Sequence, residues 1–260
     1  MRYLFNRVHD AVLPKLLSNK PLLAFDFDGT LSPLVERPAT ARLELETIDL
    51  LRRLAARWPV VIISGRSVAD LVPRFFDITL AGITGNHGVE PWGMTPEIER
   101  LVAGWVLALQ KAFGHEKGVE IQTKRWSVTV DYRHVPDLEP MERRLTAFAR
   151  ALPGVRVLGG RHADLNLAPA GPHNKGTALL HHLADLNCTG ALYVGDDRTD
   201  EDVFALDLPD LVSVRVGQKS TTKARYFLHD QPEIDRLLEV LLSLSPPLGP
   251  ESAAAVAPTA

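Results

Sequence analysis

One cysteine, Cys188, is all the thiol this 260-residue chain contains. A single cysteine excludes an intramolecular disulfide framework and a cysteine-built metal cluster. Its neighbours Asn187 and Thr189 carry no positive charge to favour a thiolate, so it reads as an inert thiol. An excess of positive charge is also missing. The net charge is −3 with both signs interspersed, and no basic stripe offers a footprint for nucleic acid. No apolar run approaches the roughly 18 residues that span a bilayer, and MRYLFNRVHDAVLPKLLSNK lacks the uncharged core of a signal peptide. The expectation is a soluble, cytoplasmic protein with no membrane partner. The last residues, PPLGPESAAAVAPTA (246–260), hold almost no packing side chains and are expected to be disordered.

What is present is a set of short apolar runs: LLAF at 22–25, VVII at 60–63, ALYV at 191–194 and LVSVRV at 211–216. Runs of this kind suit strands buried on both faces of a parallel sheet. Helical patterns lie between them. Leu43, Ile48, Leu51 and Leu54 fall near helical spacing, Ser67 and Asp70 resemble a capping box, and Thr199 with Asp202 read the same way. Alternating strands and helices predict an open α/β sheet.

The middle of the chain differs. A helix ending near Gly114 precedes GVEIQTK and RWSVTVDYRHV, whose alternating patterns predict a hairpin. EPMERRLTAFARAL then reads as a helix, and GVRVLGGRHADLNLAP as a second hairpin turning near Gly159 and Gly160. Helix–hairpin–helix–hairpin is an α+β order. The expected organisation is therefore a core split into 1–93 and 170–245 around an inserted α+β domain at 94–169, with the tail at 246–260.

Ligands of open α/β sheets bind beyond the carboxyl ends of the strands, and three strand ends here are strongly polar. LLAF runs into Asp26, Asp28, Gly29 and Thr30; VVII runs into Ser64, Gly65 and Arg66; ALYV runs into Gly195, Asp196, Asp197, Thr199 and Asp200. HNKGT opens a predicted helix near Lys175. Their convergence on one sheet edge suits a phosphate. A carboxylate can act as nucleophile and form an acyl phosphate, and a second acid can serve the leaving alkoxide and then the water. Cations must hold the phosphoryl group against the carboxylates. Mg²⁺ suits Asp26 and Asp196. Lys175 adds a second positive charge, and Ser64 with backbone N–H groups can hold the phosphoryl oxygens.

DFDGT, the Ser64 that ends VVIIS, Lys175 and GDDRTD resemble, in order, the four motifs of the haloacid-dehalogenase-like phosphatases. The resemblance implies a Rossmann-like α/β core with a parallel sheet and an inserted α+β cap domain. It also implies Asp26 as nucleophile and Asp28 as acid/base. Asp26, the Asp28 backbone carbonyl and Asp196 would hold Mg²⁺, with Asp200 supporting the metal or its waters. ISGRS at 63–67, GNHGVE at 85–90, SVTVDYR at 127–133, NKGTAL at 174–179 and GDDRTDEDVF at 195–204 are similar to the trehalose-6-phosphate phosphatases.

By that narrower resemblance the substrate contacts are Thr30, Gly65, Arg66, His87, Glu90, Lys124 and Arg133. The partner is a small sugar phosphate, with a functional pairing to a trehalose-phosphate synthase as a further implication. NLAP departs from the family pattern, since Asn166 and Ala168 stand where an acidic and a basic residue are common. Sucrose-phosphate or glycosyl-glycerate-phosphate phosphatases are therefore the alternatives, and a non-catalytic sugar-phosphate sensor is the alternative of another class.

Other chemistries fit less well. GPHNKGT has the wrong order for a Walker loop, and GDDRTD lacks the alternate acids of an EF-hand. SGR is not a G-x-S-x-G elbow. His181 and His182, adjacent on a helix, point apart and are poor joint metal ligands. The tryptophans read as packing residues, Trp126 in the cap hairpin being the best candidate for a sugar platform.

Overall fold

The computed structural model describes residues 1–6, 11–160 and 163–244; the tail expected to be disordered lies outside them. A short helix, α1 (Val12–Leu17), leads into the first of the long core strands. Four of the core strands are the four apolar runs: β2 (Pro21–Phe25), β3 (Val60–Ile63), β9 (Gly190–Gly195) and β10 (Leu211–Val216). The continuous hydrophobicity of β2 has a direct cause. Leu23 and Phe25 of β2 face one core, with α2 (Leu45–Ala55) and α8 (Glu233–Ser243), while Leu22 and Ala24 face another, with α6 (Lys175–Asp185). Both faces are covered, so no polar position is tolerated along the strand.

Three shorter strands extend the sheet: β1 (Arg2–Tyr3), β4 (Gly82–Thr84) and β11 (Tyr226–Leu228). The order is β1-β11-β10-β9-β2-β3-β4, with every pairing parallel. From β2 the chain proceeds outward through β3 to β4. From β9 it proceeds the other way through β10 to β11. β2 and β9 are neighbours, so the order reverses between them, and that is where an open sheet forms a crevice at its carboxyl edge.

Between β4 and α6 the chain builds a second, four-stranded antiparallel sheet in the order β5-β6-β8-β7. Its strands are β5 (Glu120–Thr123), β6 (Val128–Asp131), β7 (Val155–Gly159) and β8 (Asp164–Pro169). Helices α4 (Pro96–Phe113) and α5 (Leu138–Arg150) cover one face. Val128, Val130, Leu165 and Leu167 point into that cover and form the layer's own core. Thr129, Asp131, Asp164 and Asn166, one residue out of step, line a cleft over the parallel sheet. Trp105 is buried in the same core and donates its indole N–H to Pro153 O at 2.9 Å.

Local expectations fared unevenly. Ser67 caps α3 (Val68–Leu71), accepting Asp70 N–H at 3.3 Å. Thr199 does not cap α7 (Glu201–Phe204); the N-cap is Asp200, whose carboxylate is engaged elsewhere. Cys188 is half-buried, and burial pushes its thiol up, in line with an inert role. No helix among the described residues is long and apolar enough to cross a membrane.

Candidate active site

Asp26 follows the last residue of β2, and its N–H is held by Val194 O of β9 at 2.9 Å. Asp196 follows β9 directly, so the two carboxylates flank the reversal point, both nearly inaccessible to solvent. The turn after β2 has to pass under Asp196. Gly29 does so at φ +77°, where a Cβ would lie 1.9 Å from Asp196 Oδ2.

Lys175 enters from α6, whose start is fixed by reciprocal bonds between Asn174 and Thr177, each 2.9 Å. Its Nζ lies 3.0 Å from Asp26 Oδ1 and donates to Asp200 Oδ1 at 2.7 Å, with only 2% of the side chain exposed. Burial alone would neutralise this lysine, but Asp200 and Asp26 outweigh it and hold the ammonium above its ordinary range. Burial pushes the Asp26 carboxyl up to about 7 against the pull of Lys175.

Asp26, Asp196 and Asp200 each place one oxygen within 4.8 Å of the others. An all-carboxylate donor set of this kind fits a hard divalent cation such as Mg²⁺. Asp200 is the least available of the three. Its Oδ1 accepts Lys175 Nζ and Tyr193 Oη, both at 2.7 Å, and its Oδ2 accepts the N–H groups of Asp196 and Asp197 at 2.8 and 2.7 Å. With four bonds accepted, Asp200 holds Lys175 and shapes the Asp196 loop.

Asp28 is gripped by Arg66: Nε to Oδ2 at 2.6 Å and Nη2 to Oδ1 at 2.7 Å. Ser64, at the end of β3, is buried and accepts Arg66 N–H at 3.3 Å. Gly65 has no side chain because His87 lies against it; a Cβ there would sit 2.4 Å from the imidazole. His87 is held neutral by burial and by the cations Lys124, Lys175 and Arg156 around it. Neither of its ring nitrogens has a hydrogen-bond partner among the described residues.

These groups open into a cleft of about 720 Å³ between the two sheets. Asp26, Asp28, Ser64, Lys175 and Asp196 form its floor, with Gly65, Arg66 and His87 beside them. Lys124 and Arg133 reach in from the second sheet and also tie the layers together. Lys124 Nζ donates to Gly65 O at 3.1 Å, and Arg133, braced on Asp131 at 2.8 Å, donates to Glu36 O.

Two expected contacts, Thr30 and Glu90, fall elsewhere, and Trp126 packs as the tryptophans were expected to. Thr30 is fully buried outside the cleft lining, its hydroxyl without a partner among the described residues. Glu90 also lies outside the lining and uses its carboxylate to accept Val68 N–H at 2.7 Å, pinning the start of α3. Trp126 is buried under the Arg125 guanidinium, 5.0 Å from its ring, and does not line the cleft. Tyr193 and Asn86 went unrecognised in the sequence. Asn86 accepts the Ser127 hydroxyl and donates to Lys124 O at 3.3 Å, bolting the second sheet to the first. Its position within GNHG was the available signal.

A parallel sheet with acids at its reversal point, crossed by an antiparallel α+β layer, is a haloacid-dehalogenase-like fold. A subclass IIB sugar phosphatase of that superfamily shares the fold at TM-score 0.58 and 15% identity, covering 84% of this chain and 98% of its own. The chain belongs to the trehalose-phosphatase family, whose model matches residues 24–232. It is 34% identical over 239 residues to the trehalose-phosphate phosphatase of Mycobacterium tuberculosis, covering 84% of this chain and 60% of that protein. The C-terminal domain of Candida albicans trehalose-6-phosphate phosphatase has the same fold at TM-score 0.76 and 22% identity, with 95% and 100% of the two chains covered. This chain thus spans 60% of the length of the curated relatives it matches first.

Proposed function

We propose that the protein is a Mg²⁺-dependent phosphomonoesterase that hydrolyses trehalose 6-phosphate to trehalose and phosphate. The observation that carries this reading is the placement of Asp26 at the reversal point, 3.0 Å from the Lys175 ammonium, with Asp28 two residues on. An Asp26 oxygen attacks phosphorus while the bond from phosphorus to the sugar oxygen breaks. That oxygen takes its proton from the Asp28 carboxyl. Asp28 then removes a proton from water, the water oxygen attacks phosphorus while the bond from phosphorus to the Asp26 oxygen breaks, and inorganic phosphate leaves with the Asp26 carboxylate restored. Lys175 and Ser64 hold the phosphoryl oxygens. Asp26 and Asp196, with the Asp28 carbonyl by family resemblance, would hold Mg²⁺, which supplies charge to offset the repulsion between phosphate and carboxylates.

The second sheet serves as a cap that excludes water and reads the sugar. Lys124 and Arg133 present cations, Asp131 and Asn166 present acceptors, and the neutral His87 ring offers a further polar contact. A cleft of this size accommodates a disaccharide phosphate. A phosphatase for another sugar phosphate is favoured by one observation. Residue 166 is an amide, and its orientation is fixed by bonds from Thr129 Oγ1 at 2.6 Å and to Asp164 Oδ2 at 2.9 Å. A panel of sugar phosphates decides between them: the highest kcat/KM is expected for trehalose 6-phosphate, and a preference for sucrose or glycosyl-glycerate phosphate would replace it. A trehalose-phosphate synthase is the corresponding functional partner.

A further inference from the structure

Arg66 in the bend before the N-cap Ser67, Asp70 on α3 and Arg74 on the 3₁₀ turn Val72–Phe75 that continues it stand four residues apart. Their charges alternate, and the row ends on Asp28. Arg74 Nη2 donates to Asp70 Oδ1 at 2.8 Å, Arg66 Nη1 donates to Asp70 Oδ2 at 2.7 Å, and Arg66 Nε and Nη2 close the fork on Asp28. Both guanidinium groups lie over the ring of Phe27, at 5.3 and 5.6 Å from its centre, and Phe27 separates Asp26 from Asp28 in sequence. Arg66 also donates to Pro38 O at 2.7 Å and Arg74 to Ala41 O, so the row grips the loop at the cleft mouth.

We infer that Asp70 is a positioning residue for the acid/base Asp28, acting through Arg66. A guanidinium has five N–H donors in one plane, so its orientation is set by all its acceptors together. Asp70 is the acceptor that aligns Arg66 from the side opposite Asp28, and Arg74 in turn fixes Asp70. Asp70 holds both oxygens in these bonds, which is why the expected capping box is only half made. Its carboxyl lies below the usual range because the two arginines outweigh the effect of its partial burial.

This inference rests on the phosphatase reading, and a leaving-group test separates the two. A sugar oxygen needs the proton that Asp28 supplies, whereas p-nitrophenolate leaves without one. Wild type, Asp70→Asn, Asp70→Ala and Asp28→Asn would be compared on trehalose 6-phosphate in the steady state and on p-nitrophenyl phosphate by rapid mixing. For Asp70→Ala, kcat on the sugar phosphate is expected to fall about 10- to 100-fold with KM little changed. Asp70→Asn, which keeps one acceptor oxygen, should fall less. The first-turnover burst of p-nitrophenol should drop by less than about twofold in both Asp70 variants, while Asp28→Asn should lose sugar-phosphate turnover at least as far as Asp70→Ala. An equal loss on burst and sugar phosphate would mark a general structural role and overturn the inference. A raised KM at constant kcat would mark a sugar contact and overturn it too, as would unaltered kinetics. A wild-type protein that releases phosphate from neither substrate would overturn the phosphatase reading itself, and this inference with it.

Discussion

Lys175 bridges Asp26 and Asp200, its ammonium 3.0 Å from one carboxylate and 2.7 Å from the other, all three side chains almost wholly inside the protein. The pair is asymmetric. Asp200 is saturated by four bonds, whereas Asp26 faces the cleft. Lys175 is thus anchored on one acid and presented to the other, the arrangement that the nucleophilic role proposed for Asp26 needs.

Lys175→Met keeps the length and removes the charge. Turnover is expected to fall by about 10²–10³-fold, read as initial phosphate release. Breaking the buried pair should also lower stability by about 3–5 kcal/mol, read by urea unfolding.

Lys124 should give activity an alkaline limb. Burial, reinforced by Arg66, pulls its ammonium down to about 8, so it is charged below that pH and neutral above it. KM for a phosphate ester is expected to rise as pH passes about 8, and Lys124→Met should remove that step while raising KM at neutral pH.

His182 predicts an acid limb in stability. It is buried against Thr84 Oγ1 at 2.8 Å and beside Trp92, and burial, reinforced by His181, draws its pKa down to about 4. The folded state therefore binds fewer protons than the unfolded chain between about 4 and 6.5. This contribution is fully present above about 6.5 and is lost as pH falls toward 4, about 3 kcal/mol in all. Thermal or urea midpoints across that window should show a smaller acid loss in His182→Gln than in wild type.

Chelation tests the acidic pair. EDTA is expected to abolish phosphate release and added Mg²⁺ to restore it, with Asp196→Asn shifting the restoring concentration upward.

The four central strands were legible because each is buried on both faces, which writes an apolar run, broken in β10 only by the buried and hydrogen-bonded Ser213 and Arg215. β1, β4 and β11, of two or three residues, are too short to carry a period and are defined by pairing with their neighbours. The floor of the site was legible for a related reason: a charged residue directly after a buried parallel strand stands at the sheet edge where ligands bind. The groups that position them were not. Tyr193 reads as one more apolar strand residue until its hydroxyl is seen on Asp200. Asp70 reads as a capping acid until two guanidinium groups are seen on its oxygens. Glu90 fitted a sugar contact by resemblance, yet its carboxylate serves a helix start 22 residues earlier in the chain.

The central claim is that Asp26 carries the phosphoryl group, and phosphate release from trehalose 6-phosphate by wild type and Asp26→Asn, with Mg²⁺ present, tests it most directly. The expected result is Mg²⁺-dependent release by wild type and none above background from a variant whose circular dichroism and melting show it folded. Release by Asp26→Asn at a rate near that of wild type would contradict the account.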